Sequence, residues 1–373
     1  MKHNLKSSQI AAFRLARHHL ADTSPAALTT VCRDVCGVQA QVMSAAQMSL
    51  RARMHNLTRA DIDTALYKSR TLVKTNCMRA TLHLLEATDY PIYIAALNKS
   101  RVRQMFGHMA RFGVTETEGH EAKEAALKLL AAGPMTRRKV TERVLAEAKL
   151  GKKARYWFEK SWWGVVHQGI VEGLICYGPQ EGRDIRLART DQWLPKMRKV
   201  SEAEAQQILL RRYLSAYGPA TLHDFSKWAG LPVPEAKAAG ELLKEEMMEI
   251  VVDGKKSLIL RDDYDHLRNS VLPVRNLRLL PNFDAYLLAH VEKDHLVDSR
   301  YYKRVYRNQG WISAVILRNG KVIGLWSIER KGKRSALVIE PFESFSKNIR
   351  SGIEEEAATL GRFIETSLEI TFV

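Results

Sequence analysis

Four cysteines among 373 residues (Cys32, Cys36, Cys77 and Cys176) are too few and too scattered for a disulfide framework. No stretch reaches the roughly 18 uninterrupted apolar residues that a transmembrane helix needs. The N-terminal stretch MKHNLKSSQIAAFRLARHHL places charges among its apolar positions and has no signal-peptide core or cleavage site. P-loop, GxGxxG, HExxH, CxxC and GxSxG signatures are all missing, which removes the usual carriers of nucleotide-cofactor, zinc and acyl-transfer chemistry. No cofactor and no metal are expected. Low-complexity linkers are missing too, so the modules are expected to pack into one rigid body. What remains is a soluble, cytoplasmic chain whose hydrophobic fraction of 46% supplies sizeable cores.

Acidic residues are also in deficit. Asp and Glu total 41 against 58 Lys and Arg, a formal net charge of +17 with a pI near 9.7. Such an excess suits a polyanion, because each neutralised phosphate releases counterions. The basic residues form short runs: Arg101 and Arg103, Arg137–Lys139, Lys152–Arg155, Lys196–Lys199, Arg211–Arg212, Tyr301–Arg307 and Arg330–Arg334. Several lie beside aromatics, as in Arg155-Tyr156-Trp157-Phe158. Arg79 and the run Arg137, Arg138 and Lys139 are candidate DNA-binding residues. An anionic membrane suits the chain less well, since no helix pairs a strongly basic face with a bulky apolar one.

Two stretches share one outline. An amphipathic helix (HEAKEAALKLLAA; EAEAQQILLRRYLSAY) ends at a Gly-Pro turn, Gly133-Pro134 or Gly218-Pro219. A Thr suited to N-capping, Thr136 or Thr221, then opens the next helix, and a further helix and two short strands follow. Asp253-Gly254 is a hairpin signal in the second copy. Helix, turn, helix, helix, hairpin is the order of a winged helix-turn-helix module, and the repetition strengthens the reading. The N-terminal segment has a similar outline, with TLVKTNCMRATLHLL as its wing. From about residue 270 the pattern turns to strand-like alternation, with a turn signal at Asn319-Gly320, a helix over IRSGIEEEAATLGRFIE and a last strand, LEITFV. The expected fold is α+β: winged-helix modules over 1–115, 116–199 and 200–267, then a small antiparallel β-barrel over 268–373.

Two clusters stand out among the polar residues. Gln39-Ala40-Gln41 is expected at the end of a helix whose other positions (Val31, Val35, Val38) are apolar. In Met78-Arg79-Ala80-Thr81-Leu82-His83, a strand would put Arg79, Thr81 and His83 on one face. A helix end and a half-solvated strand would produce the same patterns without any function. Cys32 and Cys36, one helical turn apart with no ligand-spaced partners, read as core.

Taken in order, Gly37-Val38-Gln39-Ala40-Gln41, Leu72-Val73-Lys74-Thr75, Met78-Arg79-Ala80-Thr81-Leu82-His83-Leu84 and Leu280-Pro281-Asn282-Phe283-Asp284-Ala285-Tyr286-Leu287-Leu288 resemble the AlkZ-like winged-helix DNA glycosylases. The likeness spans nearly the whole chain. It implies a C-shaped arrangement of three winged-helix modules with a small barrel, and double-stranded DNA as the partner. It also implies monofunctional excision of N-alkylated purines in base excision repair, in some members including bases linked across the strands. Gln39 and Gln41 would be the catalytic pair, with Thr81 and His83 as a neighbouring DNA-contacting element. Ala80 departs from the family pattern, which has Gly there. A monomer acting at the bacterial nucleoid completes the expectation.

Amide chemistry suits such a substrate. A purine alkylated at N7 or N3 is already cationic and leaves as a neutral base without a general acid. The enzyme need only stabilise positive charge developing on the sugar and aim a water, which two Gln carbonyl oxygens can do as fixed dipoles. Two readings compete: a winged-helix transcription regulator or architectural protein without catalysis, and an enzyme in which Asp284 or His83 supplies a base.

Overall fold

The structure is a computed structural model that describes residues 5–161, 164–182, 184–274, 276–331 and 334–373. The side chains of the basic run Arg330–Arg334 lie outside the described residues. Helices and sheets both contribute, so the chain is α+β as expected. Its contacts gather into two units, one of Met1–Ile62, Leu210–Trp228 and Val233–Val373, the other of Asp63–Leu209 and Ala229–Pro232.

In the first unit a five-stranded sheet runs in the order Leu368–Phe372, Arg334–Pro341, Lys321–Lys331, Val315–Arg318, Leu277–Leu280. Strand alternation sends Leu337 and Ile339 to one face, where they meet Ile353, Ala357 and Leu360 of helix Lys347–Ile364. Val315 and Leu317 point the other way, onto Leu15, Leu20 and Leu287. Asn319 (φ 53°) and Gly320 (φ 79°) form the expected left-handed turn between Val315–Arg318 and Lys321–Lys331.

The expected antiparallel barrel gives way here to an open, mixed sheet. Leu368–Phe372 pairs in parallel with Arg334–Pro341, bringing Ile370 opposite Leu337. The cause lies in the connection, because a helix between two strands carries the chain back over the sheet and returns it in the same direction. Among the described residues the two outermost strands do not pair with each other.

The same unit holds the helix Leu222–Ala229 up to Trp228, the helix Val233–Leu242 and the hairpin Met247–Val252/Lys255–Leu260, turning at Asp253 (φ 48°) and Gly254 (φ 78°). Thr221 and Asp224 cap Leu222–Ala229 reciprocally: Asp224 Oδ2 accepts from the Thr221 amide at 2.9 Å, and Thr221 Oγ1 accepts from the Asp224 amide at 3.0 Å. Ala220 bridges Leu258 on the hairpin.

The second unit repeats that order. Helices Glu116–Leu130, Arg137–Glu147 and Lys152–Lys160 precede the strands Ile175–Glu181 and Asp184–Arg189. Here Met135–Thr136 pairs with Leu187 and Arg186, in the place Ala220 takes on the other hairpin. Thr115 and Glu118 form a capping box, and Thr136 caps the next helix. Leu130, Val140, Trp157, Phe158 and Ile170 build the core between these helices. A further hairpin, Leu72–Asn76/Leu82–Glu86, joins the sheet where Lys74 faces Tyr177.

Candidate active site

Gln39 ends a two-residue strand and Gln41 lies in the bend after it, not on the helix end expected from the apolar spacing. Helix Leu28–Asp34 stops earlier, at Val35, because Cys36 (φ 57°) and Gly37 (φ 83°) both turn left-handed. The Cys36 amide donates to the Arg33 carbonyl at 2.9 Å and the Gly37 amide to the Cys32 carbonyl at 2.8 Å, the two bonds of a Schellman stop. The two-residue strand Val38–Gln39 follows, the chain bends at Gln41 and Val42, and helix Met43–Arg51 begins directly after. Ala40 is fully buried, Gln39 is buried at 8% exposure, and Gln41 is exposed. No acidic residue occurs between Val35 and Ala60, so the immediate sequence offers amides and no carboxylate.

Helix Met43–Arg51 is tied down at its far end. Arg53, without exposed surface, donates from Nη2 to Asp284 Oδ1 at 2.7 Å and from Nη1 to Asp284 Oδ2 at 2.8 Å. Asp284 also accepts from Ser49 Oγ at 2.7 Å and from the Tyr286 amide at 3.0 Å. With both oxygens engaged and no solvent contact, this carboxylate is an internal anchor, which explains the Leu280-Pro281-Asn282-Phe283-Asp284 motif. Two residues before Arg53, Arg51 reaches Glu356 at 3.1 Å beside a cleft of about 380 Å³ whose lining includes neither glutamine.

In the second unit, Met78-Arg79-Ala80 forms a tight turn rather than the start of a strand. Arg79 (φ 53°) and Ala80 (φ 57°) are both left-handed, and regular pairing begins only at Leu82. Arg79 therefore does not share a strand face with Thr81 and His83. Arg79 and Thr81 are half-buried, Ala80 is exposed and His83 is buried at 2%. The Ala80 conformation accounts for the family's glycine, the residue that adopts positive φ without steric cost.

The turn is held from inside. Asn76 Nδ2 donates to the Ala80 carbonyl at 2.7 Å, and Thr81 Oγ1 to the Met78 carbonyl at 3.1 Å. Arg101, buried on helix Tyr90–Arg111, donates to the Asn76 carbonyl at 2.9 Å and also to the Asn76 side-chain oxygen. Gly230 packs so closely that a Cβ there would stand 3.0 Å from the Arg79 amide nitrogen. Beneath, His83 Nδ1 lies 3.0 Å from the Thr81 carbonyl. Burial first, and then the Arg79 charge, pushes its imidazole down to about 3, so the ring is neutral at physiological pH.

Arg101 is thus an internal clamp rather than part of a surface run, a role its sequence spacing did not reveal. Arg155 likewise turns inward, donating to the carbonyls of Ala148 at 3.2 Å and Leu150 at 3.1 Å beyond the end of helix Arg137–Glu147. Arg137, Arg138 and Lys139 form the first turn of that helix. Arg138 and Lys139 are exposed and Arg137 is half-buried; Arg138 is shared with Glu142 at 2.9 Å and Asp184 at 3.5 Å. All four cysteines are buried and none is in a disulfide, and among the described residues no group of three or more His, Cys, Asp or Glu could hold a metal ion. Nor is any described helix long and apolar enough to cross a membrane.

The family model for DNA glycosylase AlkZ-like proteins matches residues 32–363, which places the chain among the DNA glycosylases, enzymes that cleave N-glycosyl bonds. Within that class it belongs to the AlkZ-like family. The chain is 29% identical over 362 residues to the interstrand DNA cross-link repair glycosylase of Streptomyces sahachiroi, covering 95% of each chain. The solved structure of Streptomyces sahachiroi DNA glycosylase AlkZ superposes with a TM-score of 0.86 at 27% identity, covering 100% of both chains.

Proposed function

We propose that this glycosylase excises cationic N7- and N3-alkylated purines from double-stranded DNA as a monomer, with Gln39 and Gln41 as the catalytic pair. The observation that carries the reading is the short Gln39-Ala40-Gln41 segment between two helices, with Gln39 buried, Ala40 locked into the core and Gln41 exposed. A buried Gln39 carbonyl is a fixed dipole of the kind that stabilises developing charge, and the exposed Gln41 is placed to meet a water. The positively charged purine leaves as a neutral base, so neither step needs a strong acid or base. The proposed DNA-contacting residues are Arg79, Thr81 and the turn above His83, with Arg137, Arg138 and Lys139 contributing at a helix start. The repeated helix, helix, hairpin order supports winged-helix modules over 1–115, 116–199 and 200–267, followed by a C-terminal domain over 268–373. The Streptomyces relative is named for interstrand cross-link repair, and unhooking of cross-linked purines is the proposed extension of the same chemistry.

Free-base release from duplexes carrying N7-methylguanine, a defined N7-guanine cross-link or uracil tests the proposal. Release from the first two, with none from uracil, is the expected outcome. Equal release of uracil would contradict the restriction to cationic bases, and sequence-specific binding without release would favour a regulator.

A further inference from the structure

The Schellman stop that aims the glutamine segment has a second anchor, far along the chain but in the same unit. Tyr217 ends helix Glu202–Tyr217, and its buried hydroxyl donates to the Val35 carbonyl at 2.9 Å. Val35 is the residue from which the chain turns through Cys36 and Gly37 into Gln39-Ala40-Gln41. A carbonyl at a helix C-terminus has no partner within its own helix, and in a water-free setting it needs a donor from elsewhere.

The donor is itself held rigidly. The Tyr217 ring packs against His18 at 4.7 Å, Tyr213 at 5.3 Å and Trp228 at 5.8 Å between centroids. Its backbone carbonyl lies 3.0 Å from His290 Nε2, and the next two carbonyls, of Gly218 and Pro219, accept from Arg14 at 3.4 and 2.6 Å. Tyr213 fixes the same helix end by donating to the Ala289 carbonyl at 2.9 Å. The hydroxyl is therefore delivered to Val35 by side chains from three separate segments, all in the first unit.

We propose that Tyr217 is a positioning residue for base excision: its hydroxyl fixes the Val35 carbonyl and so the direction in which Gln39 and Gln41 leave the turn. The inference rests on the proposed catalytic role of the two glutamines. Tyr217 touches neither DNA nor the reacting atoms in this account. Its contribution is geometric, and a displacement of about 1 Å at a reacting group can cost on the order of a hundredfold in rate.

The test is single-turnover release of N7-methylguanine by Tyr217→Phe, with DNA affinity and Tm measured alongside. The expected result is a rate about 10- to 100-fold lower with DNA affinity unchanged. 4-Aminophenylalanine at position 217, which keeps a donor in the same place, should restore most of the rate. In a Gln39→Ala/Gln41→Ala background, Tyr217→Phe should cost nothing further. A parental rate for Tyr217→Phe would overturn the inference, as would failure of the aminophenylalanine variant to exceed Phe. If Tyr217→Phe does not fold, the aminophenylalanine variant decides alone: a rate within threefold of the parent supports the inference and a larger loss overturns it. A double-glutamine variant that keeps the parental rate would instead refute the catalytic reading.

Discussion

Replacing Asp284 by Asn should unfold the protein well before it affects chemistry. The carboxylate has no exposed surface and holds four donors: two from Arg53, one from Ser49 and the Tyr286 amide. Asparagine keeps the shape but leaves the Arg53 guanidinium buried without its counter-charge and points an NH2 group at a donor. Breaking one side of a buried ion pair costs about 3–5 kcal/mol. At roughly 2–3 °C per kcal/mol for a chain of this size, Tm should fall by about 6–15 °C. Thermal denaturation followed by circular dichroism reads the shift directly. Below its transition, Asp284→Asn should release N7-methylguanine within a few-fold of the parental rate, because the residue faces its own helix anchor. Removing both charges with Arg53→Met/Asp284→Leu should recover part of the lost stability, since an apolar pair carries no uncompensated charge. An Asp284→Asn protein with parental Tm and no base release would refute this reasoning and make Asp284 the reacting base.

Acid should destabilise the second unit through its buried histidines. His83 is pushed down to about 3, as is His167, where burial is the main cause and Arg101 adds to it. Both take up protons when unfolded at the ordinary value of about 6.5, so their stabilising contribution is complete above that pH and is lost as pH falls toward 3. At pH 4.5 each contributes about 2–3 kcal/mol less than at pH 7, at 1.36 kcal/mol per pH unit. His83→Gln should flatten the fall in denaturant midpoint between pH 6.5 and 4.5, and an unchanged slope would mean the ring protonates freely. Ala80→Gly relieves a left-handed alanine and should raise stability by up to about 1 kcal/mol, read as a higher urea midpoint at constant m-value. A lower midpoint would show that chain entropy outweighs the strain.

Local chemistry was readable from the sequence, and partners distant in the chain were not. Asp253-Gly254 and Asn319-Gly320 announced their hairpins because few residue types accept positive φ at both positions of such a turn. The Thr136 and Thr221 caps were visible for a similar reason, since capping acts within three residues. The glutamine segment was misplaced onto a helix because Val31, Val35 and Val38 keep a helical spacing across the stop. Gly37 was the signal that could have corrected it, as glycine just past an apolar run marks a helix end. Alternation also misled at Met78–His83. Both faces of Leu82–Glu86 are buried, so period-two patterning carries no information about an outward side. Arg53 and Asp284, Tyr217 and Val35, and the parallel pairing of the last strand join residues remote in sequence, and a single sequence carries no record of such pairings. The resemblance to a known family supplied the Gln39 and Gln41 assignment. The structure adds why glycine suits the position that Ala80 occupies and what Asp284 holds.

The account stands most directly on the glutamine amides. Single-turnover release of N7-methylguanine by Gln39→Ala, Gln41→Ala and the double variant, at saturating protein, isolates the chemical step. Loss of one preorganised dipole should cost about 2.7–4 kcal/mol, or on the order of a hundred- to a thousandfold in rate, with DNA affinity kept. A double variant that liberates methylated purine at the parental speed would contradict the central claim.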